Sequence, residues 1–364
     1  MSILSKKEIN KTPRFRSITK KFDGINNWKF DENATYSEID FSENWKKYRG
    51  SEYDQYRKDW SDIPRRKKET KFPLHLDIET TTFCNLKCPM CSRTEMVAKG
   101  QFEEHGFMTR EEFKKIIDEG KKYNLKSIKL NYLGEPLMHK DVFWQVEYAK
   151  KNDVIDVTMN SNGTALNINN GKALLEAGLD GMFISFDAVN PRDYETQRVG
   201  TTIGRTIDNL YNFSKLRDKI RPGCKIRVSM VMYDDPKWME QYKALQVMWR
   251  GIVDSVGYSW FVEHNKDVQV EHPKNPDFYC AQLYHRMFLK NNGNVTVCCF
   301  DESDQVVVGN WKSQTLSEIW NGEIYKSVRS KHTNGNYYDI EMCRKCYFPV
   351  SNKQNHNSGN GKNK

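Results

Sequence analysis

Short apolar runs alternate with amphipathic stretches through the middle of this 364-residue chain. The runs LHLDIE (74–79), SIKLNYL (127–133), VIDVTMN (154–160), GMFISFD (181–187), KIRVSMVM (225–232) and DSVGYSWF (254–261) have the length and the β-branched or aromatic content of strands. Between them, MTREEFKKIIDEGKKY has helical periodicity with Thr109 and Glu112 placed as a capping box, and TTIGRTIDNLYNFSKLRDK and PKWMEQYKALQVMW supply two further helices. Strands alternating with helices predict a parallel sheet with crossover helices. Six such units predict an α/β fold, a partial (β/α)6 TIM-like barrel about three quarters of the full circle.

The flanks read differently. Residues 1–74 are polar, aromatic and weakly periodic, ending in RRKKETK at 65–71. Two readings stand: an extension wrapped on the barrel through Trp28, Tyr36, Trp45, Tyr53, Tyr56 and Trp60, or a flexible leader. The tail 351–364 lacks apolar residues to offset the entropy of ordering, so it is expected to be disordered. The expected division is therefore an extension (1–74), a barrel (75–264), a C-terminal lobe (265–350) and a tail (351–364).

Neither a signal-type apolar segment nor an 18-residue apolar run is present, so the sequence predicts a cytoplasmic protein away from the membrane. The formal net charge is +9, and all of the excess lies in residues 1–74 and 351–364. The central body is neutral, so no specific nucleic-acid binding is expected. In a reducing compartment nine cysteines point to metal ligation rather than disulfides. Eight of the nine group at 84–91 and 280–346, and Cys224 stands alone as a small buried hydrophobe.

Cys84, Cys88 and Cys91 form C-x3-C-x2-C in the loop after the first predicted strand. The C-terminal ends of barrel strands are where such folds place their chemistry. Three thiolates on one loop hold three irons of a cubane cluster and leave the fourth open, as a catalytic metal requires. A zinc knuckle would want a fourth ligand nearby. In the C-terminal lobe, Cys280, Gly293 and Cys298 give C-x12-G-x4-C, followed by Cys343 and Cys346 as C-x2-C. Four thiolates fully ligate one further cluster, or alternatively a structural zinc. Cys299 adjoins Cys298, and the spacing favours Cys298 as the ligand with Cys299 as a packed thiol.

The cysteine loop resembles the signature of the radical S-adenosylmethionine (radical SAM) superfamily, over most of residues 74–350. The resemblance implies two 4Fe-4S clusters and SAM, whose methionyl group chelates the open iron and which is cleaved to a 5'-deoxyadenosyl radical. Gly134, Glu135 and Pro136 resemble the family's GGEP motif, with Leu133 in place of its first glycine, and imply Glu135 as acceptor for the SAM amino group. Asn160, Ser161 and Asn162 resemble the element near the ribose. Ser185 and Arg198 match positions used for the SAM carboxylate and ribose. Strand alternation places Arg227 and Ser229 on one face, expected to be the lumen.

The C-terminal lobe resembles the shorter, twitch form of the SPASM auxiliary domain, nearest to the 2-deoxy-scyllo-inosamine dehydrogenase type. The likeness rests on the glycine-to-cysteine spacing, the V-x-G-N turn at Val308 to Asn310, the helix start at Ser317 to Trp320 and the closing C-x2-C. It implies oxidation of a small hydroxylated substrate, with the auxiliary cluster taking an electron and a flavodoxin or ferredoxin as external donor. Peptide or protein modification, or a redox-neutral epimerisation, are the alternatives. Tyr132, His139, Asp187, Arg227, Tyr258 and Glu263 are candidates to meet substrate at the barrel mouth; His139 also reads as a surface group.

Overall fold

The computed structural model describes residues 36–102, 106–233, 235–261, 274–346 and 348–351. Trp28, Glu263 and the tail beyond 351 lie outside them. The elements in chain order are β1 (Tyr36–Asp40), α1 (Gly50–Arg65), β2 (His75–Ile78), α2 (Ser92–Ala98), α3 (Arg110–Lys122), β3 (Ser127–Leu130), α4 (Val142–Lys151), β4 (Asp156–Ser161), α5 (Ile168–Ala177), β5 (Gly181–Ser185), α6 (Pro191–Gln197), α7 (Ile203–Ile220), β6 (Lys225–Met232), α8 (Pro236–Trp249) and β7 (Ser255–Trp260). The C-terminal part contributes β8 (Arg286–Leu289), β9 (Asn294–Thr296), β10 (Val307–Asn310), α9 (Leu316–Trp320), α10 (Glu323–Thr333) and α11 (Glu341–Arg344).

All six expected strands form, as β2 to β7, and they pair in parallel in sequence order. The capping box at Thr109 and Glu112 starts α3. Along β6 the burial alternates strictly: Ile226, Val228, Met230 and Met232 sit beneath the helices, and Arg227 and Ser229 face the half-exposed lumen. The core is this shared layer between sheet and helices, with Leu76, Ile78, Ile128, Leu130, Met182 and Ile184 fully buried.

Both edges of the six-stranded arc are extended. β1 pairs antiparallel with β7, and β8 pairs in parallel with β2, so one ten-stranded sheet runs β1-β7-β6-β5-β4-β3-β2-β8-β9-β10. Residues 308–310, expected as a turn, belong to strand β10, because the asparagine-glycine turn at Asn292 and Gly293 folds β9 back on β8 and leaves β9 an edge to pair. Gly293 has φ +102°, and a Cβ there would meet the Asn310 side chain at 2.6 Å.

From residue 36 onward the extension packs against the barrel. α1 crosses the N-terminal ends of the barrel strands, with Trp45, Tyr53 and Tyr56 forming a small aromatic core. Arg49 donates to the carbonyls of Asp180 (3.0 Å) and Ile155 (3.4 Å) and to Asp156 Oδ1 (2.5 Å), at the starts of β4 and β5. Trp60 stacks on His285 at 3.9 Å. This helix closes the bottom of the barrel, so the opposite end is the open one.

Candidate functional site

β2 ends at Ile78, and the chain then crosses the open end to place Cys84, Cys88 and Cys91, all free thiols. Cys91 caps α2, and the amides of Arg93 and Thr94 point at its sulfur. Arg198 Nη1 lies 3.7 Å from Cys88 Sγ and Asn162 Nδ2 4.0 Å from Cys84 Sγ. Burial pushes all three thiols up, and each senses another of the three among its charged neighbours. Free thiols with N–H groups directed at every sulfur fit thiolate ligation of a cluster. Among the described residues no three His, Cys, Asp or Glu side chains converge on one metal ion.

The loop after β3 is stitched beneath the cysteines. A Cβ on Gly134 would sit 2.0 Å from the Thr81 carbonyl, and the Glu135 amide donates to Phe83 O at 2.8 Å. The Glu135 carboxylate is buried and already accepts three bonds: Leu137 N (3.1 Å), Ser161 Oγ (2.8 Å) and Asn162 N (2.7 Å). It therefore locks the end of β4 to the β3 loop and keeps one lone-pair direction for a ligand. Asn162 also holds Asn85 Oδ1 at 2.9 Å and receives Thr164 N. Arg198 is ion-paired with the fully buried Asp187 at 2.5 Å; burial opposes its charge, and Asp187 with the Cys88 sulfur restores it. Cys84, Cys88, Glu135, Asn162, Arg198 and Asp187 thus form one constellation. Ser185 and Ser229 are register partners on the lumen wall, and the Asn160 Oδ1 nearby is buried without a partner. No hydrogen bond among the described residues joins these three to the cysteine loop.

Two mouth candidates are corrected. Tyr258 is fully buried and packs edge-on against Tyr242 of α8 at 4.8 Å, because it pairs with Met230 and shares that residue's helix-facing side. His139 is buried rather than at the surface: its ring bonds Met108 O (2.9 Å) and receives Asp141 N (3.0 Å), which fixes the turn before α4.

Cys280, Cys298, Cys299, Cys343 and Cys346 are half-buried free thiols in the C-terminal lobe. Cys280 lies among the electrostatic neighbours of Cys298, Cys343 and Cys346, so three chain segments converge. Burial raises Cys343, and lifts Cys346 to about 12. Phe300 N donates to Cys298 Sγ at 3.5 Å. The Cys298 hydrogen bond, with help from the nearby cations Arg286 and Lys129, holds the Cys299 pKa down against burial. Cys224 is fully buried, as expected of a small hydrophobe.

Tyr132, one of the expected mouth residues, and several groups that local sequence does not announce connect the neighbourhoods of the two cysteine sets. Tyr132, at φ +151°, donates its hydroxyl to Asp301 O at 2.8 Å. Lys290 Nζ donates to the carbonyls of Asp301 (3.0 Å) and Glu302 (2.9 Å). Glu302 hydrogen-bonds Ser92, next to Cys91, while its Oε2 is buried without a partner; burial pushes this carboxyl up to about 7. On the lumen wall, Asp77 is ringed by His75 (3.4 Å), Lys129 (3.3 Å) and Arg286 (3.5 Å). Burial alone would raise the Asp77 carboxyl, and the surrounding cations bring it well below the carboxylate range. The only sequence signal for these residues is β-strand alternation, which places Asp77 and Lys129 on the lumen face.

The Radical SAM superfamily model matches residues 78–242 and the SPASM model, an iron-sulfur cluster-binding domain, matches residues 280–347. A probable GTP 3',8-cyclase of Methanococcus maripaludis (strain C5) is 33% identical over 127 residues, covering 35% of this chain and 40% of the cyclase. The chain thus spans about two fifths of the cyclase's length. A tungsten-containing aldehyde ferredoxin oxidoreductase cofactor-modifying protein of Pyrococcus furiosus is 25% identical, over 72% of this chain and 73% of its own. Among solved structures, Streptococcus suis SuiB bound to S-adenosylmethionine has a TM-score of 0.55 at 15% identity, covering 73% of this chain and 70% of that one. BtrN in complex with AdoMet and 2-DOIA has a TM-score of 0.50 at 17% identity, covering 76% and 94%. These two share the fold.

Proposed function

Since this chain is a radical SAM protein with a SPASM domain behind its barrel, we propose that it oxidises a small hydroxylated, sugar- or cyclitol-like substrate held in the lumen between its two cysteine groups. Cys84, Cys88 and Cys91 would hold the SAM-binding 4Fe-4S cluster, and Cys280, Cys298, Cys343 and Cys346 the auxiliary one. Gly134, Glu135, Asn160, Asn162, Ser185, Arg198 and Ser229 would line the SAM position. Bound there, these groups would supply a 5'-deoxyadenosyl radical for hydrogen abstraction and an acceptor for the remaining electron, and an external flavodoxin or ferredoxin would supply the reductant.

The observation that carries this reading is the clasp across the mouth. Glu302 reaches Ser92 beside Cys91, and Tyr132 reaches Asp301 close to Cys298 and Cys299, so hydrogen bonds join the neighbourhoods of the two sets of thiols. The lumen face of the sheet also carries Asp77, Lys129, Arg227 and Arg286, ion-paired as Asp77 with Lys129 and Arg286 and as Arg227 with Glu38, a polar lining that supports a hydroxylated or ionic molecule over an apolar side chain. The buried, unpartnered oxygen of Glu302 is placed to receive a substrate hydroxyl.

Anaerobically loaded protein given reductant and SAM is expected to release 5'-deoxyadenosine, and Cys88→Ala to abolish the release; undiminished release by the variant would remove the assignment. Pools of sugars and aminocyclitols, and separately of peptides, then test the substrate class. Release stimulated by peptides alone would replace the small-molecule reading with peptide modification. A stimulated reaction without net oxidation of its substrate would replace it with epimerisation.

A further inference from the structure

We propose that His332 is a positioning residue of the second cysteine group: it donates from Nε2 to the Cys343 sulfur and thereby raises the reduction potential of the cluster held there. The inference rests on the reading that these cysteines hold an iron-sulfur cluster. His332 lies in the last turn of α10 and is buried. Its Nδ1 accepts the Cys280 backbone N–H at 3.2 Å, which fixes that nitrogen as unprotonated in the neutral ring. The proton therefore sits on Nε2, and Nε2 lies 3.4 Å from Cys343 Sγ. No other partner for Nε2 is present among the described residues.

The ring is held in this orientation from two sides. Tyr337 stacks on it at 5.7 Å with an interplanar angle of 25°, and Phe278 meets it edge-on at 6.1 Å. One imidazole thus connects the backbone of the first cysteine to the sulfur of the third, across two chain segments that no strand pairing joins. A histidine that only filled the core would place both nitrogens on oxygen or backbone partners. Here one nitrogen is aimed at a sulfur that reads as a ligand. A hydrogen bond to a ligating sulfur favours the more negative, reduced form of a cluster, which raises its potential. At the Cys298 sulfur the donor is the Phe300 amide, at the longer distance of 3.5 Å.

The test uses the full chain with Cys84, Cys88 and Cys91 all replaced by Ala, so that only the second group is left to bind iron. Loaded anaerobically, this parent is expected to carry about four irons. Adding His332→Phe should keep the iron but shift the midpoint to more negative potential in an EPR-monitored redox titration. At a fixed poise the ratio of reduced to oxidised cluster should fall about tenfold, the size expected for one hydrogen bond to a charged acceptor. His332→Gln, which still offers an N–H, should stay within about threefold of the parent. If His332→Phe fails to load, His332→Met serves as the variant without a donor. An unchanged midpoint in a loaded variant that lacks the donor overturns the proposal, as does loss of iron in His332→Gln along with the others, which would make the residue purely structural. A parent with one zinc or no metal would instead sink the auxiliary-cluster reading, so the two failures are told apart.

Discussion

Gly134 is the tightest contact in the first site. A side chain there would meet the backbone of Thr81 at 2.0 Å and of Phe83 at 3.0 Å, and backbone cannot swing aside as a flexible side chain would. Gly134→Ala is therefore expected to push the β3 loop off the cysteine loop, destabilising the fold by about 3 kcal/mol. The checks are a lowered Tm and loss of the iron bound at Cys84, Cys88 and Cys91; a variant with the Tm and iron of the parent would show that the loops separate freely. At this scale the sequence is legible where chemistry is local. The three cysteines and Gly134–Glu135–Pro136 stand out because their spacing is short and specific. Glu302 and His332 do not, because each acts on a residue far away in the chain. Tyr258 was misplaced because alternation identifies two faces without saying which one the helices cover. Only its pairing with Met230 decides that.

At the scale of elements, β1 shows what patterning misses. YSEID is five residues long and mostly polar, so it carries no apolar alternation, yet it forms the edge strand on β7. What holds it is Glu38, which reaches Lys225 at 2.7 Å and Arg227 at 3.6 Å on β6, one strand beyond its pairing partner. Burial opposes the Glu38 charge, and Arg227 with Lys225 outweighs it, bringing the carboxyl from 4.5 to about 2. A carboxyl lowered on folding stabilises the native state above its unfolded value and loses that contribution as pH falls through the folded one. The Glu38 contribution is thus full above pH 4.5 and fades towards about 2. Glu38→Gln should cost roughly 1 to 3 kcal/mol in urea unfolding at pH 7 and much less near pH 3. An equal loss at both pH values would show that size and packing, rather than charge, secure the strand. β2 to β7, in contrast, were legible because helices cover one face and leave a lumen on the other, so burial imposes strict alternation on β6.

For the whole molecule, the expectation of two separable metal sites leads to a direct count. Replacing both Cys343 and Cys346 removes two thiolates of the second group, and iron should fall from about eight to about four per chain. Release of 5'-deoxyadenosine without substrate should persist, because the constellation of Cys84, Cys88, Glu135 and Arg198 lies on other elements. Four irons plus one zinc in the parent would assign the second group to zinc. The sequence did not show that the lobe carrying these thiols is continuous with the barrel sheet. β8 is only four residues long, and its partner β2 lies more than two hundred positions earlier.

That pairing has a consequence for how the chain is made. During synthesis β2 emerges early, and its side facing away from β3 stays unpaired until Arg286 to Leu289 leave the ribosome. For that interval an open backbone edge sits beside the loop that carries three of the protein's free thiols, a combination that invites strand addition and cross-linking between nascent chains. β8 is therefore also a stitch in time: it ends the exposure of that edge as it follows Cys280 out of the ribosome, before Cys298, Cys343 and Cys346 arrive.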